Sequence, residues 1–242
     1  MKLVKKGLTK MISKKQTHII SLYDFTGEAL KPWRDMGFNC FAYDIQHNGE
    51  ETRDGITYCH ADLHNVQDLY DIAARHYEKA RFLSAFPVCT DLAVSGAKHF
   101  ARKERENPGF QERAAQHAER CAVVADMLRV PYYIENPVSR LATLWRKPDH
   151  TFQPFQYGGY IPEAEADHPR WPEYIAPRDA YSKRTCLWTG NGFNMPEPMP
   201  VDCESYGKST QWGKLGGKSV KTKNIRSATP RGFAKAVALA NC

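Results

Sequence analysis

The sequence predicts an α/β fold built on a doubly wound, mostly parallel sheet, followed by a small basic irregular lobe. Three observations carry this. Short apolar runs alternate with helix-length stretches up to residue 134. The runs at 17–23, 38–43, 81–86 and 131–134 each deliver polar or reactive residues at their C-terminal ends, the edge at which open parallel sheets bind ligands. From Phe152 the texture changes: Pro, Gly, Trp and Tyr become frequent, and helical periodicity fades until residues 230–241.

Residues 17–23 read as a first buried strand, ending at Asp24-Phe25-Thr26-Gly27. Residues 28–36 suit a short helix, with Pro32 early in it and Gly37 after it. A second strand at 38–43 ends at Asp44. Strand, Gly-containing turn, helix, strand and acid make up the grammar of a Rossmann-like nucleotide-binding domain, with the acid placed for ribose hydroxyls. The turn lacks the three-glycine dinucleotide fingerprint, so NAD fits poorly. Tyr58 leads into a short third strand ending near Asp62, and residues 66–79 look helical. The fourth strand, 81–86, empties into a cysteine loop. Residues 112–129 form a long helix with apolar positions at Ala115, Ala118, Val123 and Met127, and a fifth strand at 131–134 ends at Glu135. Residues 181–188 fit a strand carrying charge toward the site, and 189–225 are loop-rich. The expected organisation is a basic arm (1–16), a catalytic core (17–188), a small basic lobe (189–225) and a C-terminal segment (226–242) packing on the core.

Composition narrows the function classes. With 242 residues, 42% of them hydrophobic and 25% charged, the chain suits one well-buried domain with a small appendage. No apolar stretch approaches a membrane span. Lys2, Lys5, Lys6, Lys10, Lys14 and Lys15 precede no apolar signal core, so the start reads as a basic arm of a cytoplasmic protein, a solvated and partly disordered leader being the alternative. Seven scattered cysteines without a Cys-x-x-Cys pair indicate a reducing compartment and no zinc site. The net charge of +7 is concentrated: between Ser205 and Lys235 there are eight Lys or Arg and no acid, with Tyr206, Trp212 and Phe233 interleaved. Charge with aromatic stacking suits a nucleic-acid strand, and a solvated Gly-rich loop is the alternative. Lys208, Trp212, Lys214, Lys218, Lys221, Lys223 and Arg226 are the candidate contacts there, the lysines mostly to phosphates. Gly216-Gly217-Lys218-Ser219 echoes a phosphate loop by composition only.

The chemistry centres on Phe86-Pro87-Val88-Cys89-Thr90-Asp91 and Tyr133-Ile134-Glu135-Asn136-Pro137. A cysteine after a proline at one strand end, with a Glu-Asn pair at another, suits covalent chemistry on an electron-poor ring. Neither element is specific alone; their joint placement is what points to a site. Cytosine matches: thiolate addition at C6 makes C5 nucleophilic, and Glu135 can hydrogen-bond or protonate N3. Asn136 can fix the loop or the ring, and Cys89 is expected as a partly exposed thiolate. Arg184 or Lys183 can stabilise charge on the base carbonyl or a neighbouring phosphate, a surface salt bridge being the alternative for Arg184. C5 and C6 are stacked in duplex DNA, so a duplex substrate requires base flipping. Asp24, Gly27, Asp44 and Asp62 lie at successive strand ends and suit a nucleoside-like sulfonium donor. Gly27 allows close backbone approach, Asp44 meets ribose, and Asp62 meets the adenine amino group or caps the next helix.

These motifs resemble the cytosine-C5 DNA methyltransferase family, particularly its compact phage-type members. Ser21-Leu22-Tyr23-Asp24 resembles that family's first motif, and Asp44 falls where its ribose-binding acid is expected. Phe86-Pro87-Val88-Cys89 resembles the Gly-Pro-Pro-Cys nucleophile loop, and Glu135-Asn136 resembles its Glu-Asn-Val. Ser182-Lys183-Arg184 through Trp188 looks like the strand that brings an arginine to the flipped base, and the segment from Arg226 to Phe233 looks like the helper segment behind the recognition region. The matches run in the expected order over residues 19–235. The resemblance implies a class I methyltransferase-like core, S-adenosylmethionine as donor with Pro87 beside it, DNA as substrate, methyl transfer to C5 of cytosine, and a bacterial cell or phage-infected host. The chain departs from the pattern at Phe25, where glycine is usual and where the ring crowds the donor's methionine end. It departs also at Val88 and Pro137, and no clear version of the final Gly-Asn motif precedes Asn241-Cys242. The short lobe implies short or loose sequence specificity. Two rival readings stay open: another cysteine-dependent pyrimidine modification, of DNA, RNA or nucleotides, and a catalytically silent nucleic-acid-binding protein.

Overall fold

Eight strands and seven helices are described in the computed structural model, which covers residues 17–203, 215 and 219–242. The strands are β1 (His18–Leu22), β2 (Asn39–Asp44), β3 (Glu50–Arg53), β4 (Ile56–His60), β5 (Ala80–Ala85), β6 (Tyr132–Pro137), β7 (His150–Phe152) and β8 (Thr185–Gly190). The helices are α1 (Lys31–Asp35), α2 (Val66–His76), α3 (Phe100–Glu106), α4 (Phe110–Leu128), α5 (Leu141–Leu144), α6 (Val220–Ser227) and α7 (Arg231–Asn241). The strands form one mixed sheet in the order β3-β4-β2-β1-β5-β6-β8-β7. Its centre, β4-β2-β1-β5-β6, is parallel. β3 pairs antiparallel with β4, and β8 pairs antiparallel with both β6 and β7.

Burial on both faces explains why the central strands read as continuous apolar runs. On one face Ile20, Leu22, Leu83 and Ile134 pack with Leu69 and Ile72 of α2 and with Ala118, Cys121 and Ala125 of α4. On the other, Ile19, Phe82 and Tyr133 pack with Trp33 of α1 and with Phe233 and Val237 of α7. The sequence placed Val123 and Met127 on the buried side of α4, but both are exposed, and the seam runs through Ala115, Ala118, Cys121, Ala122, Ala125 and Leu128. Small side chains let α4 lie close on the sheet, and helical spacing from Ala118 to Cys121 to Ala125 turns the two larger residues to solvent.

Strand β7 and helices α3 and α5 are not expected from the sequence, and two further elements differ from expectation. The acid-containing stretch before Tyr58 is strand β3, hairpinned to β4 through Asp54-Gly55 at φ 49° and 73°. Two residues at positive φ form the tight hairpin turn that an Asp-Gly pair favours, a signal present in the sequence. Helix α6 occupies the end of the stretch expected to be loop; the Ser219 hydroxyl caps it by accepting from the Thr222 N–H at 3.1 Å. It buries only Thr222 and Ile225, too sparse a pattern to stand out.

A third apolar cluster joins Trp171, Ile175, Ala176, Ala180 and Tyr181 to Leu215, Ile225 and Ala228. This small lobe therefore draws on residues either side of the expected boundary at 188, while Phe193 and Met195 pack toward the sheet. Asp179 joins the lobe to α7: its Oδ2 accepts from the Gly232 N–H at 2.8 Å, and Asp179 itself is 1% exposed. Burial pushes its carboxyl up to about 6, against the pull of the Gly232 N–H and the Arg231 charge. A carboxyl whose folded value lies above its unfolded one favours the fold when protonated, and that contribution is lost as pH rises through the folded value. The wild type should thus lose up to roughly 3 kcal/mol between about pH 4 and pH 7 from this group. Asp179→Asn should lack that part of the slope. Urea midpoints at both ends of the window test this, and parallel slopes for the two proteins would refute it.

Candidate active site

The Cys89 loop is fastened on both sides. At the end of β5 the Phe86 N–H donates to the Leu22 carbonyl at 3.0 Å. The Asn136 side-chain amide donates to the Pro87 carbonyl at 3.0 Å. Beyond Cys89 the chain turns tightly, the Cys89 carbonyl accepting from the N–H groups of Leu92 (3.0 Å) and Ala93 (2.8 Å). Ala93 then bridges to Ser139, and the Leu92 carbonyl accepts from the Arg140 N–H at 2.8 Å. The loop is therefore laced to β6 and its continuation, with Leu92 fully buried as an anchor. Adjacent parallel strands, registered at Ala85 opposite Ile134, bring Cys89 and Glu135 to one edge. Of the two roles open to Asn136, loop fixing is the one its bond to Pro87 performs. Pro87 is buried with its carbonyl on that amide.

Burial pushes the Cys89 thiol up, the Glu135 carboxylate adds to the rise, and the Lys183 ammonium opposes both. The resting group is a half-buried thiol and not the expected thiolate. Its attack requires loss of a proton as the new bond forms. Glu135 is half-buried on β6 opposite Leu187 of β8. Of the two basic candidates, Lys183 is half-buried and its charge opposes the rise of the Cys89 thiol, whereas Arg184 is exposed and its charge pulls down the Cys186 thiol.

The donor candidates divide. Asp24, 4% exposed, holds its own loop: one oxygen accepts from the Ser21 hydroxyl (2.8 Å), the other from the Gly27 N–H (2.7 Å), the Thr26 N–H (3.1 Å) and the Thr26 hydroxyl (3.2 Å). Burial pushes its carboxyl up, and the bonds from Ser21, Gly27 and Thr26 pull it back. Asp24 therefore shapes the loop, both of its oxygens already accepting from protein donors. Gly27 sits at φ +70°, and a Cβ there would come 2.5 Å from the Tyr58 hydroxyl, so the close approach expected at this glycine is made by Tyr58. Asp44 uses one oxygen for the Gln46 N–H (2.8 Å) and side-chain amide (3.2 Å). Asp62 accepts from the His64 N–H at 3.0 Å, and the cap of α2 is Asn65, not Asp62. Asp44 and Asp62 each keep an oxygen without a protein partner among the described residues.

The sequence did not single out His47 or Tyr58. His47 is buried; its Nε2–H donates to the Asp24 carbonyl at 3.2 Å, and its ring stacks on Phe25 (5.4 Å, 16°) and meets Tyr58 edge-on (5.1 Å, 67°). The His47 imidazole, held down by burial, stays neutral. These two side chains weld the Asp24 loop to β4 through contacts between separate strands, which no local pattern signals. Tyr23, directly after β1, sits at φ 58° with its hydroxyl donating to the Leu63 carbonyl at 3.0 Å, a backbone conformation that a bulky residue adopts only under constraint.

Of the nucleic-acid candidates, Lys221, Lys223 and Arg226 are exposed on α6. Lys183 Nζ donates to the Arg226 carbonyl at 3.0 Å, and the Arg226 guanidinium donates to the Leu215 carbonyl. Lys208, Trp212, Lys214 and Lys218, with Tyr206, lie outside the described residues. Phe233 is buried and stacked on Phe152 at 3.9 Å, so it belongs to the core and offers no platform for a base. Among the described residues no group of three His, Cys, Asp or Glu is arranged to hold a metal, and no helix is long and apolar enough to cross a membrane. No protein-family model matches the chain, and no curated protein matches its sequence.

Asn136→Ala should cost about 1–3 kcal/mol, because it removes the buried donor to Pro87, and it should free the Cys89 loop. Urea unfolding and iodoacetamide trapping of Cys89 measure the two effects. Unchanged stability together with unchanged trapping would show that the bond does not hold the loop.

Proposed function

We propose that this chain transfers a methyl group from S-adenosylmethionine to C5 of cytosine in DNA through a covalent Cys89 adduct. The observation that supports it most is the lacing of the Cys89 loop to the Glu135-Asn136 strand end by the Asn136–Pro87 bond. The parallel centre of the mixed sheet, with helices on both faces, is compatible with a Rossmann-like, class I methyltransferase-type core. On this reading the arm (1–16) and the lobe meet nucleic acid, with Lys221, Lys223 and Arg226 near phosphates, and the protein works in the cytoplasm.

Each residue then has a defined task. Glu135 hydrogen-bonds the N3 side of the ring and passes it a proton, which makes C6 electrophilic. The Cys89 thiol gives up its proton, which the Glu135 carboxylate takes up and passes to N3, and its sulfur bonds to C6, so that electron density moves to C5. After C5 takes the methyl group it loses its proton to water, the C6–S bond breaks with its electron pair on sulfur, and N3 returns its proton through Glu135 to the Cys89 thiolate, so that the aromatic ring and the resting thiol are both restored. S-adenosylmethionine supplies an electrophilic methyl group on a sulfonium centre. Asp44 would hold its ribose hydroxyls and Asp62 its adenine amino group, each through the oxygen the protein leaves open. Asp24 supports the Thr26-Gly27 loop from behind.

The Phe25–His47 stack beside the loop favours a second reading, in which the donor is held weakly or differs from the usual one. Methyl-labelled S-adenosylmethionine, offered with cytosine-containing DNA and with matched RNA, separates the possibilities. Label on C5 of DNA cytosine is expected for the native protein, none for Cys89→Ala, and at least about a hundredfold less for Glu135→Gln. Label on RNA alone would move the substrate class. No label with a folded, DNA-binding protein would sink the methyl-transfer reading.

A further inference from the structure

We infer that Lys183 is a positioning residue that links helix α6 to the reactivity of Cys89. The inference deepens the reading of Cys89 as nucleophile and rests on it. Thr185, the first residue of β8, pairs with Pro137, the last of β6. Lys183 lies two residues earlier, beyond the β6 end, at the edge where the Cys89 loop is laced. Its ammonium donates to the carbonyl of Arg226, the next-to-last residue of α6, at 3.0 Å. A helix concentrates partial negative charge on its last carbonyls, so this is a natural seat for a cation.

The far end of the link is held by the lobe. Ile225 is buried in the third apolar cluster, the Arg226 guanidinium is bound to the Leu215 carbonyl, and Lys221 lies 5.5 Å over the Tyr174 ring. Lys183 is thus seated on the α6 carbonyl, at the sheet edge where the Ala93–Ser139 bridge laces the Cys89 loop to the continuation of β6. Lys183 is also the charge that favours ionisation of Cys89. A displacement of α6, whose outer face carries Lys221 and Lys223, moves the Arg226 carbonyl and with it the ammonium. Engagement of a polyanion by the lobe would in this way reach the nucleophile through a single side chain.

The test follows iodoacetamide alkylation of Cys89 in the full chain across the alkaline pH range. The Cys89 peptide is read by mass spectrometry, with Cys203 and Cys242 as internal references. Lys183→Met should slow Cys89 alkylation at pH 8 by roughly three- to tenfold and raise its midpoint, as expected for loss of one nearby charge. Lys183→Arg should restore most of the rate, which a purely structural defect would not. Arg226→Ala, which loosens α6 from Leu215 and keeps the carbonyl, should alter alkylation in the native background and add nothing to Lys183→Met. A Lys183→Met profile identical to the native one, or an Arg226→Ala effect undiminished in the Lys183→Met background, overturns the inference. Alkylation needs no donor, so the two readings fail separately. Lys183-dependent alkylation without methyl transfer would preserve the link and remove the proposed activity. Methyl transfer with Lys183-independent alkylation would do the reverse.

Discussion

The buried hydrogen bond from the Asn136 side chain to the Pro87 carbonyl is the interaction on which the arrangement at the sheet edge depends. Parallel pairing of β5 with β6 brings two chain segments to the same edge but leaves the loops beyond them unconstrained. The amide converts that proximity into a fixed relation between a thiol and a carboxylate. It does so from a residue 1% exposed, where the carbonyl has no water to turn to. The Ala93–Ser139 bridge and the Arg140 bond to Leu92 repeat the fastening on the far side of Cys89. A loop held at three points keeps its cysteine half-buried, and the same burial keeps the sulfur protonated at rest.

Acids at strand ends do two different jobs in this chain. Asp24 is saturated by Ser21, Thr26 and Gly27 and serves as the internal frame of its turn, whereas Asp44 and Asp62 each keep one oxygen open. Asp24 is 4% exposed, where an unpaired acceptor is costly, and the loop closes around it. His47 extends that frame by joining the Asp24 carbonyl to Phe25 and Tyr58.

The lobe is tied to the sheet at two places of opposite character. Asp179 bonds to the start of α7 in a buried setting, and Lys183 bonds to the end of α6 at the surface. The first is sensitive to protonation and insulated from solvent. The second is a flexible cation that can follow its partner. The lobe is thus held by one buried tie to the start of α7 and one surface tie to the end of α6.

The sequence by itself determined the alternation of strands and helices, the delivery of Cys89, Glu135, Asn136, Asp44 and Asp62 to strand ends, and the basic character of the segment behind them. These are local properties, set by hydrophobic period and by turn residues within a few positions. The β3–β4 hairpin was also written locally, in Asp54-Gly55. Only the tertiary structure decided the antiparallel insertion of β8 between β6 and β7, the union of Trp171–Tyr181 residues with α6 in one lobe, and the burial of Phe233 against Phe152. It also decided that Asp24 is internal, that His47 and Tyr58 enclose its loop, and that Lys183 rather than Arg184 bears on Cys89. Each of these rests on a contact between residues far apart in the chain. Local pattern carries no information about such partners, because burial and pairing are set by which elements come to lie side by side.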